Sequence, residues 1–310
     1  PTVIELQDYV ANLVGKEAAL FVPTGTMANQ VSIAVQTKPG DEIIAESFCH
    51  IFYYENAAPS VVSRIQIRCI DSEKGIMDLD KIKNAIRPPN YYFPNTSMIC
   101  IENTHNRHGG TIMPLDYILN VKKIADKYNL KMHCDGARLW HASAKTGIPL
   151  AEYAAPFDTV SVCLSKALGA PAGSVINGPK YVIESARRWR KMLGGGMRQG
   201  GVLAAAGLFA LKNNLRNLEN DHKNAELFGK IISKSELIQV DLNKIETNMV
   251  YFEIPKSIDM EALVKNCYRR DLKILPAEKN IIRVVFHFQV SKAQTEEAAN
   301  IILEELEGLN

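Results

Sequence analysis

The sequence predicts an α/β fold in which a mostly parallel, seven-stranded sheet forms a large domain and a smaller α+β domain follows. Up to about residue 180, short apolar segments alternate with helical patterns, as parallel strands joined by covering helices do. After Asn213 the composition changes, and charged amphipathic helices alternate with short strands. We therefore expect a large domain over residues 1–213 and a small domain over residues 214–310.

Each predicted strand is a short run rich in β-branched and other apolar side chains, and each predicted helix has a period close to that of an α-helix. The strands of the large domain are 18–22, 42–45, 65–70, 97–102, 131–134, 159–164 and 173–177. Its helices are 3–14, 27–36, 78–86, 115–128 and 179–192, then, after Gly194-Gly195-Gly196, a long apolar helix from about Gly200 to Asn213. The small domain has predicted helices 216–234, 259–269 and 293–307 and strands 237–240, 249–254 and 281–286.

Composition excludes several classes of function. Of the 310 residues 46% are hydrophobic, and the net charge of +2 indicates neither a nucleic-acid partner nor a membrane surface. No apolar run approaches the roughly 20 residues of a membrane helix, and the first residues carry no signal-peptide pattern. The six cysteines lack C-x-x-C spacing and lie mostly in apolar runs, which favours reduced thiols and a cytoplasmic location. Strand alternation directs Cys134 away from its neighbours, so we predict no metal site.

The segment 161–171 places one lysine at the end of a strand. An apolar, β-branched run ends in Ser165-Lys166, and small residues with a proline follow at once. A lysine whose ammonium is poorly solvated has a lowered pKa and can act as an amine nucleophile that forms a Schiff base. The alternative is a surface lysine that reaches water, because charged residues are rarely buried without a partner.

An aspartate follows another predicted strand. The segment 130–140 runs through His133 and Cys134 to Asp135 and Gly136, where a helical pattern begins. Open α/β sheets bind their ligands at the carboxyl ends of parallel strands, so Asp135 could hold a pyridinium N–H there. Alternatively, Asp135 only caps the following helix.

The segment 21–30 predicts a strand, a Gly25-Thr26 turn and then a helix. Backbone N–H groups at the helix start and the Thr26 hydroxyl would form a phosphate site without a positively charged side chain. A plain strand–turn–helix is the alternative. A phosphate site, an acid for a pyridinium and a Schiff-base lysine, in this order and each at a strand end, together resemble a fold-type I enzyme that uses pyridoxal 5′-phosphate (PLP).

Longer segments make this resemblance more specific, and it extends from residue 1 to about residue 290. The chain resembles the low-specificity L-threonine aldolases in PTGTMANQ (23–30), ESFCHIFYYENAA (46–58), AIRPPN (85–90), ICIENTHNRHGG (99–110), HCDGARLW (133–140), SVCLSKALGAPAGS (161–174) and RKMLGGGMRQGG (190–201). Two features depart from the family pattern. Ala167 stands where the family usually has glycine after the lysine, and family members carry a few dozen residues, with substrate contacts, before the segment that resembles Pro1–Val3.

The resemblance implies a PLP-binding large domain whose residues hold the cofactor and cleave a β-hydroxy-α-amino acid. Lys166 would form the Schiff base, and His50 and His105 are the two candidate catalytic histidines; the other five histidines carry no comparable argument. The implied cofactor-binding residues are Gly25, Thr26, His50, Asp135, Arg138, Lys166, Lys191 and Arg198. The implied substrate-binding residues are Arg138, Arg283, His105 and Glu55. For Lys191 and Arg198 the alternative is a solvated basic face, and for Arg283 a surface position on a strand.

The implied reaction is retro-aldol cleavage of L-threonine or L-allo-threonine to glycine and an aldehyde, by a homodimer or homotetramer with shared active sites. Two alternatives remain. A related PLP-dependent β-eliminating lyase would share the fold and the cofactor, and a chain that binds PLP without turnover would keep only the cofactor motifs.

Overall fold

The computed structural model describes all 310 residues, which form two compact units. The first unit contains residues 1–108 and 112–215, and the second contains residues 109–111 and 216–310. None of the helices combines the length and the apolar character that crossing a membrane would require.

A seven-stranded sheet organises the first unit. Its strands are β1 (Ala18–Val22), β2 (Glu42–Glu46), β3 (Gln66–Ile70), β4 (Thr96–Glu102), β5 (Lys131–Gly136), β6 (Thr159–Cys163) and β7 (Ser174–Gly178). They lie in the order β1-β7-β6-β5-β4-β2-β3, and β7 is antiparallel to both of its neighbours. All other neighbouring strands are parallel, so the predicted fold class is confirmed, and each predicted strand of the large domain is found within two residues at either end.

Nine α-helices accompany this sheet. They are α1 (Thr2–Val14), α2 (Gly25–Ala34), α3 (His50–Tyr53), α4 (Leu79–Ala85), α5 (Leu115–Lys127), α6 (Leu139–Thr146), α7 (Leu150–Ala154), α8 (Lys180–Met192) and α9 (Gly201–Asn214). No bounds were predicted for α3, α6 and α7, because helices of one or two turns are too short for a periodic pattern to specify.

Local capping fixes where α2 begins. Thr24 has an extended backbone, and its side-chain oxygen accepts a hydrogen bond from the Met27 N–H at 3.1 Å. This bond satisfies one of the N–H groups that a helix start leaves without an intrahelical partner. The helix therefore begins at Gly25, shortly after the end of β1, and the Thr24 cap fixes the position of its amino end.

The second unit is an α+β arrangement with its own core. Its strands β8 (Met249–Glu253), β9 (Leu275–Glu278) and β10 (Ile281–Val285) form an antiparallel sheet in the order β8-β10-β9. The helices α10 (Leu218–Ile232), α11 (Met260–Arg269) and α12 (Lys292–Leu309) contribute to a core that includes Phe228 and Phe252. Ser291 and Gln294 form a reciprocal capping box that starts α12.

The predicted strand 237–240 is wrong. Within it only Gln239 pairs with a strand residue, through an isolated antiparallel bridge to Glu253. Ile238 is buried in the core of this unit, so the apolar pattern here reflects burial of side chains and not pairing with a neighbouring strand. The third strand of the sheet is instead β9, which the sequence analysis missed because Leu275 is exposed and Pro276 lacks a backbone N–H.

Candidate active site

Charged side chains collect at the carboxyl ends of the central parallel strands. Glu46 ends β2, Glu102 ends β4, and Asp135 is the penultimate residue of β5. These strands are neighbours, and Glu102 lies directly opposite Asp135 in the register of β4 and β5. The three carboxylates therefore meet at one edge of the sheet, where open α/β sheets place their ligands.

Asp135 is buried and makes defined hydrogen bonds. Its Oδ2 accepts from Asn29 Nδ2 at 2.8 Å, and its Oδ1 accepts from the Ala137 N–H at 3.1 Å. Burial alone would raise the pKa of Asp135, but the charges of Lys166 and His50, together with the Asn29 hydrogen bond, hold this pKa below its usual value. The N-cap of α6 is Arg138, so the alternative that Asp135 only caps that helix is wrong. A buried, ionised carboxylate at this edge can accept a hydrogen bond from a protonated ring nitrogen.

Asn29, on α2, connects the groups around Asp135. Its Nδ2 donates to both Glu55 Oε1 and Asp135 Oδ2 at 2.8 Å. Its Oδ1 accepts from Ser161 Oγ at 3.0 Å and lies 3.2 Å from His133 Nε2. Since every hydrogen-bonding position of this amide is used, Asn29 fixes the relative positions of four buried side chains.

His133 belongs to this network as a neutral group. Its ring is fully buried between Thr159 Oγ1, at 2.8 Å from Nδ1, and Asn29. Burial lowers the pKa of His133 to about 4, although the nearby charge of Asp135 acts in the opposite direction. His133 is therefore uncharged at neutral pH, and its role here is to support Asn29.

His50 is oriented by Glu55. The His50 Nδ1 lies 2.9 Å from Glu55 Oε1, and the second oxygen of Glu55 accepts from Gln30 Nε2 at 2.5 Å. Burial would lower the pKa of His50, but the hydrogen bond to Glu55 and the charge of Asp135 raise it above its usual value. The His50 backbone N–H donates to Glu102 Oε2 at 2.7 Å, which fixes the start of α3. With Nδ1 committed to Glu55, Nε2 is the ring nitrogen available to a ligand.

His105 lies at the same edge but has a different carboxylate partner. Its ring is fully buried, and Nε2 is 2.9 Å from Glu46 Oε2 and 3.9 Å from Glu102 Oε2. Burial would lower the pKa of His105, but the charge of Glu102 and the hydrogen bond to Glu46 raise it above its usual value. The structure thus brings both predicted histidines to the strand edge, each with its own carboxylate.

Lys166 lies in the loop that follows β6, and its side chain is partly buried. Its ammonium is close enough to Asp135 to lower the pKa of that carboxyl. Ala167 does not have a positive φ, whereas Gly169, two residues later, has a φ of 71°. Alanine therefore fits its position in this loop without backbone strain.

The amino end of α2 supplies hydrogen-bond donors. The Met27 N–H donates to the Thr24 side chain and the Ala28 N–H to the Thr24 carbonyl, so the N–H groups of Gly25 and Thr26 remain for a ligand. A Cβ added at Gly25 would meet Ser174 Oγ at 3.6 Å and Cys163 Sγ at 3.8 Å, which are ordinary contact distances. This helix start lies beside the ends of β6 and β7 and has the donors that an anion such as phosphate requires.

Sequence comparison identifies the family. The model of the beta-eliminating lyase family matches residues 1–255. Low-specificity L-threonine aldolase 1 of Arabidopsis thaliana is 41% identical over 297 residues, which are 94% of this chain and 83% of that protein. The chain belongs to the low-specificity L-threonine aldolase family.

Solved structures share the fold of this aldolase-family chain. A threonine aldolase from Leishmania major matches with a TM-score of 0.82 at 17% identity, over 98% of this chain and 89% of the other. A PLP-dependent aminotransferase from Streptococcus suis matches with a TM-score of 0.73 at 18% identity, over 94% of this chain and 77% of the other. At these identities the two matches establish a common fold.

The remaining predicted residues of the aldolase-family site lie in different surroundings. Arg138 is half-buried at the start of α6, three residues after Asp135. Lys191, in the last turn of α8, and Arg198, between α8 and α9, are both exposed, as the alternative of a solvated basic face also requires. Arg283 is on β10 in the second unit, opposite Tyr251 of β8.

Several polar residues at this site were not predicted, although signals for some of them were present in the sequence. Glu46 and Glu102 end apolar strands just as Asp135 does, so the same pattern should have singled them out. Asn29 interrupts an apolar helix beside the predicted phosphate site, which is itself unusual for a buried helix face. His108 was set aside, yet its Nε2 lies 3.3 Å from Glu46 Oε1.

Proposed function

We propose that this chain is a PLP-dependent aldolase that cleaves L-threonine or L-allo-threonine to glycine and acetaldehyde. The observation that carries the proposal is the buried, ionised Asp135, held beside Lys166 and the donor-rich start of α2 at one edge of the sheet. Membership of the low-specificity L-threonine aldolase family selects this activity among those that the fold supports.

The residues at this site match the separate functional groups of PLP. Asp135 would accept the hydrogen bond of the protonated ring nitrogen, the N–H groups of Gly25 and Thr26 would bind the phosphate, and Lys166 would hold the aldehyde carbon. When bound, PLP supplies an electron sink that stabilises negative charge at the α-carbon of an amino acid. The low pKa of Asp135 supports this assignment, because a neutral aspartic acid would not keep the ring nitrogen protonated.

Cleavage requires a base for the β-hydroxyl proton. As that proton leaves, the Cβ–O bond becomes a carbonyl, the Cα–Cβ bond breaks and acetaldehyde is released. The electron pair left at the α-carbon then takes up a proton to give glycine. His50 and His105 are the proposed bases, because imidazole titrates near neutral pH and each ring is oriented by a carboxylate.

Substrate orientation is assigned to arginine side chains. Arg138 and Arg283 are proposed to bind the substrate carboxylate, since a guanidinium can form two parallel hydrogen bonds with it. The bond cleaved at the α-carbon depends on how the substrate is held, so these contacts would favour Cα–Cβ cleavage. Glu55, already bound to His50, is proposed to support the hydroxyl-binding groups.

We propose a homodimer or homotetramer in the cytoplasm, in which Lys191 and Arg198 contact the cofactor of a neighbouring subunit. The segment around these residues exposes several large apolar side chains, which supports an interface: Met192 at 66%, Met197 at 39%, Val202 at 74% and Phe209 at 65%. The six cysteines are all free, which agrees with a reducing compartment.

The proposal is tested first by absorbance. Purified protein given PLP is expected to bind it with a band between about 400 and 430 nm, and glycine should induce a band near about 490–500 nm. Lys166→Ala should abolish both bands, while the matched control Lys180→Ala, which removes an exposed lysine of the same unit, should keep them. A chain without any cofactor band would contradict the assignment of Lys166, Asp135 and the α2 start to one site.

Product analysis then separates the aldolase from its alternatives. Threonine is expected to yield acetaldehyde and glycine in equal amounts. Release of pyruvate and ammonia from serine, without aldehyde from threonine, would indicate a β-eliminating lyase instead. A normal cofactor band without product from either substrate would indicate a PLP-binding chain without turnover.

A further inference from the structure

We propose that Glu46, His105 and His108 form a binding site for one zinc ion beside the proposed cofactor site. One potential ligand atom from each of these three side chains lies within 4.8 Å of those of the other two. Imidazole nitrogens and carboxylate oxygens are ligands that zinc prefers, and three protein ligands with one water molecule complete a tetrahedral shell. The inference goes beyond the proposed aldolase activity and does not depend on it.

Both histidines turn the same ring nitrogen toward Glu46. His105 Nε2 lies 2.9 Å from Glu46 Oε2, and His108 Nε2 lies 3.3 Å from Glu46 Oε1. Two ligand atoms of a tetrahedral zinc ion are roughly 3.3 Å apart, because each lies about 2.1 Å from the metal. The nitrogen–oxygen distances are thus close to those of a zinc site. The sequence predicted no metal site, since Glu46 lies 59 positions before His105 and only the fold brings them together.

The Glu46 carboxylate is oriented by two groups outside the cluster. Its Oε2 accepts a hydrogen bond from the Phe48 N–H at 2.6 Å, and its Oε1 accepts one from Ser72 Oγ at 2.9 Å. Carboxylates that bind metals are held by hydrogen bonds of this kind, which fix the direction of the remaining lone pairs. Glu46 is therefore positioned independently of the two histidines.

The turn after β3 holds the ring of His105 in place. Gly75, in this turn, has a φ of 83°, and a Cβ added there would lie 2.7 Å from His105 Cδ2 and 2.9 Å from Cγ. The backbone of the turn thus packs directly against the imidazole. A metal ligand held in this way loses little conformational freedom when the ion binds.

The charges around His105 favour a cation. Glu46 contacts the ring, Glu102 Oε2 lies 3.9 Å from Nε2, and Asp135 acts at longer range. These negative charges raise the pKa of His105 above its usual value, although burial opposes them. A divalent ion brings positive charge to the same place, so it competes with the protons on the histidine nitrogens and releases them on binding.

His108 connects the cluster to the surface. Its side chain is 20% exposed, whereas those of Glu46 and His105 are 4% and 1% exposed. The ion and its water ligand would therefore enter beside His108. Bound zinc would join the end of β2 to the segment after β4 and would take His105 out of proton transfer. Under the proposed function, His50, whose side chain is 26% exposed, would then be the base.

Calorimetric titration with Zn²⁺ tests the proposal on the full chain, with and without PLP, after a chelator has removed bound metals. Wild type is expected to bind one ion per chain. His108→Asn and Glu46→Gln should each weaken binding by more than about 100-fold, because loss of an outer-shell contact alone costs roughly 10–100-fold. Thermal unfolding gives a second readout: Zn²⁺ should raise the Tm of wild type, because it binds only the folded state, and should not raise that of either variant.

His287→Asn and His50→Asn are the matched controls. His287 is partly buried, as His108 is, but it follows β10 in the second unit. His50 belongs to the other histidine–carboxylate group of the chain, with Glu55 and Asp135. Both variants should bind zinc as tightly as wild type. If Glu46→Gln does not fold, His108→Asn still decides the outcome, because it replaces a partly exposed side chain.

Three results would each overturn the proposal. They are no one-to-one binding by the folded wild type, equal zinc affinity in wild type and His108→Asn, and loss of binding in His50→Asn. None of these measurements requires turnover. A chain that binds zinc at this site but does not cleave threonine would therefore contradict only the proposed function.

Discussion

Asp135 and Glu55 are joined by one side-chain amide, because Asn29 Nδ2 lies 2.8 Å from a carboxylate oxygen of each. One of these carboxylates is assigned to the cofactor nitrogen and the other orients His50 at 2.9 Å. The amide thus couples the position of a proposed cofactor contact to the position of a proposed base. The same asparagine also binds Ser161 and lies near His133 through its oxygen.

Asn29→Ala is therefore expected to weaken both functions at once. The substitution leaves Asp135 and Glu55 each short of a buried donor, which should lower the free energy of unfolding by about 1–3 kcal/mol. We also expect weaker PLP binding and a lower kcat, measured by absorbance titration and by acetaldehyde release. Asn213→Ala is the control, because Asn213 Nδ2 donates to the Phe209 carbonyl in an exposed hydrogen bond within α9. Equal PLP affinity in wild type and Asn29→Ala would contradict the coupling.

The sequence predicted the sheet and the strand-end residues, because buried strands and the polar residues that follow them leave local patterns. It could not predict that Asn29 contacts Asp135, since this hydrogen bond joins residues 106 positions apart. Glu46 was visible as a strand-end carboxylate, yet its choice of His105 over His50 depends on side-chain packing. The error at 237–240 has the same origin, because the burial of Ile238 gives the pattern of a strand where only one residue pairs.

Ala167→Gly tests the departure from the family pattern next to Lys166. Because Ala167 does not have a positive φ, glycine relieves no backbone strain in the folded state. It does increase the conformational freedom of the unfolded chain. We expect a loss of about 0.4–1 kcal/mol in the free energy of unfolding and no increase in kcat. Urea unfolding and threonine cleavage measure the two quantities. A several-fold higher kcat in the glycine variant would mean that the methyl group hinders the loop.

Asp221, in the first turn of α10, is expected to make stability depend on pH. Its side chain is 1% exposed, neither carboxylate oxygen accepts a hydrogen bond, and burial raises its pKa to about 7. The folded state therefore holds a proton that the unfolded state releases near pH 4. The contribution of the protonated Asp221 to the free energy of unfolding is fully present below that pH and is lost as the pH rises toward 7.

Urea unfolding at pH 5 and pH 8 measures this effect. Between these two values, wild type should lose about 1–3 kcal/mol relative to Asp221→Asn, whose amide does not titrate. Glu219→Gln, which changes an exposed carboxylate in the same helical turn, should follow the wild type. An equal response of wild type and Asp221→Asn to pH would show that Asp221 is not the titrating group.

Gly75→Ala should disturb His105 without changing any charged group. The added methyl would lie 2.7 Å from His105 Cδ2, and the φ of 83° disfavours alanine on its own. Gly40→Ala separates these two causes, because Gly40 has a φ of 89° with no atom within 4 Å of an added Cβ. In both variants the positive φ should lower the free energy of unfolding by about 1–2 kcal/mol. In Gly75→Ala, overpacking against His105 should lower it by about 1–3 kcal/mol more. Only Gly75→Ala should lower kcat, because only there does the imidazole have to move. If the two variants cleave threonine equally well, the turn after β3 does not hold the His105 ring in its active position.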